Sequence, residues 1–408
     1  MMTENQSGGE EQLHLSWQYP KGLIGLSFAN MLLRILTLGI YHFWAKTEVR
    51  KRIWSAIRIN DEPLTYTGRG LELFIGFLIV FFLFFVPLIL LIFALALLLG
   101  PQSPLLNLIT LLIYIAFAYL IGVAIYRAQR YRMARTRWRG IRGSLEGSPH
   151  AYAWTYFWTL LLIPLTLGWI VPWRTTKLQS ILTNNIRFGN RPLRFDAESG
   201  ALYGPFTLLW FGSIVVYIAL VGFFAGWFAD LAQAAQDGVP LSLEPQDYVV
   251  IFAAIIIAGL LFALFGSWYQ ARTINHFANH THFENATFSG DTSAFGLIWL
   301  SFSNFLILLA GSVIFLGIAV GLILPFFELD LSRLPDGRAA AQVLGTLAPI
   351  VLLFGFTLFM PIVQARSVGY VVRNLQVKGT APIEEIAQST GEDIKYGEGL
   401  AEAFDVDV

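Results

Sequence analysis

The sequence predicts an all-α polytopic membrane protein with about six full transmembrane helices, two re-entrant or short hairpin segments, and small cytoplasmic modules of helix and strand-turn-strand, arranged as an internal tandem repeat. Three observations carry this expectation. Of 408 residues, 56% are hydrophobic and only 13% charged, against about 25% charged in soluble chains. Uncharged runs at 73–100, 105–126, 203–229, 248–271, 294–327 and 343–365 reach or exceed the ~20 residues that span a hydrocarbon core. The chain also aligns with itself without a gap: Thr37-Leu38-Gly39 falls on Thr166-Leu167-Gly168, Trp44 on Trp173, Arg58 on Arg187, and Pro63-Leu64 on Pro192-Leu193.

Residues 1–21 are a polar N-terminal segment. They carry Glu4, Glu10 and Glu11 and lack a basic stretch ahead of an apolar core, so no signal peptide is expected. Repeat unit 1 covers 22–150. Its first apolar stretch, 22–43, is interrupted by Thr37-Leu38-Gly39. Residues 44–69 then carry six basic residues against three acidic ones, and 127–150 carry seven arginines against Glu146. The positive-inside rule places both segments in the cytoplasm, so the runs at 73–100 and 105–126 form an out-and-back pair joined at 101–104. Repeat unit 2 covers 151–293. Its stretch 151–173 lies between two basic segments, so a single crossing there would put one of them outside. A hairpin broken near Pro164 and Thr166-Leu167-Gly168 keeps both inside. The alternative for 22–43 and 151–173 is a plain spanning helix whose Thr and Gly serve helix packing. If the hairpins are real, the two turns are expected to face each other across a pseudo-symmetric interface. The acidic linker 230–247 is free to lie outside. A partial unit 3 covers 294–380, and the acidic stretch 381–408 is expected to be a disordered cytoplasmic tail; both termini are thus cytoplasmic.

Each module begins with an aromatic at the membrane edge and continues as a basic helix such as "KTEVRKRIWSAI". It ends in paired short runs, "IRINDEPLTY" or "IRFGNRPLRF", that flank a turn. A weaker third copy sets Trp268 on Trp44 and Phe283 on Ile59. Strands at a membrane edge must lie outside the hydrocarbon, because an open sheet edge cannot face lipid.

"LTLGIYHFWAK" followed by "YTGRGLELFIGF" resembles the YjgN family of bacterial inner-membrane proteins, defined by a domain of unknown function. The resemblance rests on Tyr66, Gly68, Gly70, Glu72, Leu73 and Phe74 after the Thr-Leu-Gly-Ile-Tyr run. It is clearest over 31–77 and weakens toward 305. The second copy, "FDAESGALYGPF", lacks the Glu-Leu-Phe, so any role of Glu72 belongs to the first copy. The resemblance implies the bacterial inner membrane and supplies no reaction or substrate.

Three constellations are candidates for chemistry. His276 and His280 stand i, i+4 on one helix face, with His282 and Glu284 following. They offer either a metal site or histidines in place of arginines at a wet interface, and no HExxH signature favours the metal. Arg34, inside "MLLRILTLG", either snorkels to the surface or faces a wet vestibule. Gly68 and Gly70 form a Gly-x-Gly without a Walker lysine; permissive turn geometry before a helix is the reading preferred over phosphate binding. Glu72 is expected to pair with Arg69 or to sit at a helix N-terminus.

With no cysteine, disulfides, thiolate catalysis and Cys-ligated metals are excluded. No acid, base and nucleophile grouping recurs, so an enzyme is not expected, and neither is a cofactor. The arginines mark topology at headgroup level and imply no nucleic-acid binding. Two functions remain. One is transport or permeation of a small solute or lipid through a pseudo-symmetric bundle; the other is a non-catalytic role in lipid binding or envelope organisation, with anionic headgroups as partners. Thr37, Gly39, Thr166, Gly168, Trp44 and Trp173 complete the candidate residues.

Overall fold

The computed structural model describes residues 10–237, 245–323 and 338–388. Two short strands, β1 (Glu10–Gln12) and β2 (Leu15–Trp17), precede α1 (Leu23–Leu36), a turn, and α2 (His42–Ala56). α2 passes directly into β3 (Ile57–Ile59), followed by β4 (Glu62–Pro63) and β5 (Thr65–Tyr66). A long helix then rises as α3 (Gly70–Val80), a π-helical turn at Phe81–Phe85, and α4 (Val86–Leu99). The π turn sits just ahead of Pro87, which has no N–H for the regular ladder. α5 (Pro104–Arg135) returns and leads into β6 (Thr136–Trp138) and β7 (Ile141–Leu145).

The second half repeats this alternation. α6 (Pro149–Leu165), a turn and α7 (Val171–Asn185) lead into β8 (Ile186–Phe188) and β9 (Arg191–Phe195). α8 (Gly200–Asp237) and α9 (Pro245–Asn279) lead into β10 (Thr281–Phe283) and β11 (Ala286–Gly290). α10 (Ala294–Ile323) and α11 (Arg338–Arg373) lead into β12 (Leu375–Lys378) and β13 (Thr380–Pro382), closed by a 3-10 turn at Ile383–Glu385.

Among the described residues five helices are long and apolar enough to cross a membrane: Gly70–Leu99, Pro104–Arg135, Gly200–Ala234, Val249–Asn279 and Ala294–Ile318. Their outward Leu, Ile and Phe side chains are exposed, Leu97 and Leu98 at 72% and 81%, as a lipid-facing surface requires. The chain is a predominantly helical, polytopic membrane protein. The sixth expected span, 343–365, falls inside α11, whose side chains are described only from residue 355. The linker residues 238–244, the stretch 324–337 and the tail 389–408 lie outside the described residues.

Five helices, α2, α5, α7, α9 and α11, run into a strand with at most one residue between. At Ile57, Thr136 and Ile186 the backbone changes from helical to extended in one step. Tight turns then reverse the chain with residues at positive φ: Asn60 and Asp61, Arg139 and Gly140, Gly189, and Glu284. The strands form an antiparallel ladder in the order β12-β11-β10-β9-β8-β7-β6-β5, beside a three-stranded sheet β2-β3-β4. β12 comes back against β2, so the strands bend round one core. Leu13, Trp138, Phe283, Ala286, Ala381, Ile383 and Ile386 fill it, with Ile59, Ile141, Phe188 and Val377 packed around them.

One sequence reading gains detail here and one changes. The arginine-rich stretch 127–150 holds a strand pair, β6 and β7, as well as helix. The boundary at 380/381 cuts through β13, which pairs with β1 in the register Glu10↔Pro382 and Gln12↔Thr380. Residues 381–388, assigned from composition to a disordered tail, are instead folded: Ala381 is fully buried, and Ile383 and Ile386 are buried beside it. Their apolar side chains outweigh the acidic composition because the β core has room for them.

Candidate functional site

The motif residues that stand apart in sequence converge where α2, the 66–72 loop and α5 meet. Trp44, at the start of α2, lies against Phe74 with ring centroids 5.5 Å apart. Gly70 sits so close that a Cβ there would be 2.6 Å from the Trp44 Cα. At Gly68 a Cβ would be 2.5 Å from the Tyr66 ring. Neither glycine has positive φ, which corrects the turn-geometry reading. Both are needed because a side chain would push an aromatic away, and at Gly70 it would push the α2 backbone.

Beneath this contact lies a partly buried polar cluster. Glu72, in the first turn of α3, accepts a hydrogen bond from the Tyr131 hydroxyl at 2.6 Å and pairs with Arg135 at 3.0 Å. The expected partner, Arg69, is replaced by Arg135 because α5 returns past the start of α3. The position at a helix N-terminus is the expected one, where a carboxylate is favoured. Arg50 of α2, itself buried, donates from Nη1 to the Tyr66 hydroxyl at 2.9 Å. Phe43, Tyr66, Leu73 and Tyr131 form the apolar wall around the cluster. Arg50, Tyr131 and Arg135 were not singled out as site residues in the sequence, since Arg50 meets Tyr66 across the α2–β5 turn and Tyr131 and Arg135 meet Glu72 across the α3–α5 pair, which leaves no local spacing signal.

The two Thr-Leu-Gly segments adopt the same backbone. Leu38 and Gly39 have φ of 51° and 91°, and Leu167 and Gly168 have 49° and 85°. Thr37 Oγ1 donates to Leu33 O at 2.7 Å and accepts from Tyr41 N at 2.9 Å; Thr166 Oγ1 donates to Leu162 O and accepts from Ile170 N. Each threonine thus closes one helix and opens the next, so both segments are helix-turn-helix hairpins. Their tips are apolar yet uncovered, with Leu38 95% and Leu167 73% exposed. The second tip does find a partner, on α8: Trp210 Nε1 donates to Leu167 O at 2.7 Å, and Trp169 packs on Tyr203, Phe206 and Trp210. The partner of this tip is therefore a neighbouring span, not the opposite turn. Trp173, aligned with Trp44, likewise packs on an aromatic, Trp158, at 5.4 Å.

Arg34 is half-buried on α1, and its backbone oxygen accepts the Gly39 N–H at 2.7 Å. Its Nε is enclosed without a hydrogen-bond partner. The histidines are tied to nearby polar groups: His276 Nε2 to Glu198 O at 2.8 Å, His280 Nδ1 to His276 O at 2.8 Å, and His282 Nδ1 to Thr287 Oγ1 at 3.0 Å. Among the described residues no three His, Asp or Glu side chains are placed to hold a metal ion.

A second pattern emerges from the helix–strand junctions. Arg127, Lys177, Arg272 and Arg366 each stand nine residues ahead of their strand, which begins at Thr136, Ile186, Thr281 and Leu375 respectively. Since the strands belong to one ladder, equal counting back along helices sets these cations at one height. Arg127, Lys177 and Arg272 are exposed. Arg366 is half-buried and donates to Asn304 Oδ1 at 2.9 Å and Ser303 Oγ at 2.7 Å. The fifth helix has Glu48 at that register, between Lys46 and Lys51.

A family model described as a bacterial protein of unknown function, DUF898, matches residues 20–403. The inner membrane protein YjgN of Escherichia coli K12 is 26% identical over 140 residues, 34% of this chain and 32% of that protein. YjgN of Salmonella typhimurium is 38% identical over 63 residues, 15% of this chain and 16% of that protein. The chain thus matches about a third or less of the length of these relatives. No solved structure matches it.

Proposed function

We infer that this chain, which belongs to the DUF898 family of bacterial proteins, gathers and organises anionic phospholipid at the cytoplasmic face of the inner membrane. The collar of cations at one register above the β assembly carries the reading. Directly above it α5, α9 and α11 turn apolar, while Arg174 on α7 carries charge one turn further up, so the collar falls at headgroup height, where each cation contributes about 1 kcal/mol toward an anionic surface. The pairing of β1 with β13 keeps both described termini on the sheet side, and the positive-inside rule makes that side cytoplasmic.

The hairpin arms α2 and α7 are each 15 residues long. Their first residues, His42 and Val171, stand six residues, about 9 Å, above the collar register, with the turns just beyond. That depth suits shallow hairpins whose apolar tips, Leu38 and Leu167, enter the acyl boundary without reaching the midplane. Permeation along the molecular axis is the second reading, drawn from the two broken helices. It is weaker, because a route down the middle of the β assembly meets the apolar core around Trp138 and Phe283. Neither reading needs catalysis, a cofactor or nucleic acid.

The test is reconstitution into nanodiscs of mixed phosphatidylglycerol and phosphatidylcholine, with the surrounding lipid quantified by mass spectrometry. Wild type should enrich phosphatidylglycerol, and the pair Arg127→Gln and Lys177→Gln should reduce the enrichment about fivefold. Unchanged enrichment would reject the collar, and a stoichiometric polar solute retained by the wild type would restore the permeation reading.

A further inference from the structure

We propose that the cleft between α8 and α9 is a binding site for one anionic glycerophospholipid, with its phosphate on Arg272 and an acyl chain along the same helix pair. The proposal rests on the collar reading and names the place where a general surface contact becomes a discrete site.

The lower end of the cleft is a cavity of about 500 Å³, a size typical of ligand pockets. Ala201 and Gly204 line it from α8, where small side chains leave room, and Trp268, Arg272 and Asn279 line it from α9. Arg272 is the collar cation of its module. Its guanidinium lies over the Trp268 ring at 4.9 Å, a contact that orients the side chain without consuming its hydrogen-bond donors. Among the described residues it has no carboxylate within ion-pair distance.

The other polar groups of the cavity divide cleanly. Asn275 is occupied at both ends by the Thr292 backbone, and His276 Nε2 by Glu198 O. Asn279, in the lining, uses only its oxygen, for Gly290 N, which leaves its amide N–H groups without a hydrogen-bond partner among the described residues. The donors available are therefore the Arg272 guanidinium, the Asn279 amide and the indole N–H of Trp268, groups that a phosphate diester and a neighbouring hydroxyl would use. None of the lining residues is acidic, so an ammonium-bearing headgroup would gain no partner there.

Further up the same two helices lies a second cavity of about 260 Å³, lined only by apolar side chains, Val216 and Leu220 opposite Ala258 and Leu261 among them. The lining positions continue the helical stripe of the lower cavity, three and four residues apart along each helix. Between the two, the Phe265 ring packs directly on Gly212, so the helices touch there and a chain would pass over the outer edge of that ring. A polar end at collar height with an apolar continuation above it matches a phospholipid in length and in order.

The experiment is native mass spectrometry of the full chain in mild detergent, titrated with phosphatidylglycerol or phosphatidylethanolamine. Wild type should bind one phosphatidylglycerol at least about tenfold more tightly than phosphatidylethanolamine. Arg272→Gln should lose about tenfold in that affinity, Arg272→Lys should recover part of it, and Lys378→Gln, an exposed cation on β12 outside the collar, should leave it unchanged. Filling the upper cavity with Ala258→Phe should weaken binding with Arg272 intact. Glycerol 3-phosphate alone should not displace the lipid; full displacement would make this a site for a free phosphate ester and overturn the proposal. Equal affinity for the two lipids, or an unaffected Arg272→Gln, would also overturn it. Loss of nanodisc enrichment in the Arg127 and Lys177 variants beside an indifferent Arg272→Gln rejects the site alone, whereas retained enrichment with a sensitive Arg272→Gln rejects the collar.

Discussion

At Gly70 a single methyl group decides whether α2 and α3 can touch. Its Cβ would meet main chain at 2.6 Å, and backbone cannot rotate away as a side chain can. Gly70→Ala should therefore lower stability by about 1–3 kcal/mol, read as thermal unfolding in detergent. Gly25→Ala, where nothing lies within 4 Å, should be neutral or slightly stabilising in its helix. Similar losses at both positions would remove the close-approach explanation of the motif. Tyr152, in the sheet-side first turn of α6, gives a second residue-scale test. Burial pushes its phenol up to about 12, against a smaller opposing pull from Arg174. The folded state therefore prefers the neutral phenol: the contribution is whole below the ordinary tyrosine range near 10 and is lost as pH rises through about 12. Wild type should lose stability across that window more steeply than Tyr152→Phe. Identical alkaline profiles would show that another group controls it. The sequence displayed the motif glycines and aromatics plainly, but their reason was hidden, because the partners of Gly70 and Glu72 lie on helices that only the fold brings near.

The two turns were the most legible elements, although their second arms, α2 and α7, are the helices that the sequence reads as separate basic modules. A threonine, a residue and a glycine inside an apolar run supply a helix stop, a side-chain cap and a residue free to take positive φ, and both copies use all three. Gly39→Val and Gly168→Val should each cost about 1–3 kcal/mol, because a β-branched residue is strained at those φ values. Gly122 is unsuitable as a control, since a Cβ there would meet Ala153 Cα at 2.8 Å. Gly222, helical with open space around it, is the proper one, and Gly222→Val should cost less than either turn variant. Comparable melting temperatures for all three would mean that the turns tolerate side chains and would undo the capping account. The strand pairs were half legible. Those at 57–66 and 186–195 are flagged by proline and by alternation, whereas β6 and β7 carry arginines at Arg137 and Arg142 that read as a headgroup signal. Strands of three to five residues are too short for period-two patterning to outweigh such charges.

At the scale of the whole molecule, composition revealed the spans and concealed the closure of the β assembly. The strand ladder links residues from Thr65 to Lys378, and β1 meets β13 across nearly the full length of the chain. Pairings of that separation leave no trace in local pattern, and the acidic residues around Ile383 and Ile386 disguise a core segment as a tail. The segment's role is nonetheless measurable. Ile383 and Ile386 are buried against Trp138 and Phe283, so replacing either by alanine leaves a cavity and should cost about 2–5 kcal/mol. Ending the chain after Gly379 removes both, together with Ala381 and the partner of β1, and should cost more than either single change while loosening Glu10–Gln12 to proteolysis. Ending it after Gln388 keeps every one of these contacts and should leave the melting temperature close to that of the full chain. Because the spans need no contact with this segment to remain helical, the loss should fall on the β assembly. Hydrogen exchange should rise at β6, β8 and β10 in the chain ended at Gly379 while α4 and α9 stay protected. If exchange were unchanged in those strands, the segment would be a passenger on the β assembly and not part of its closure.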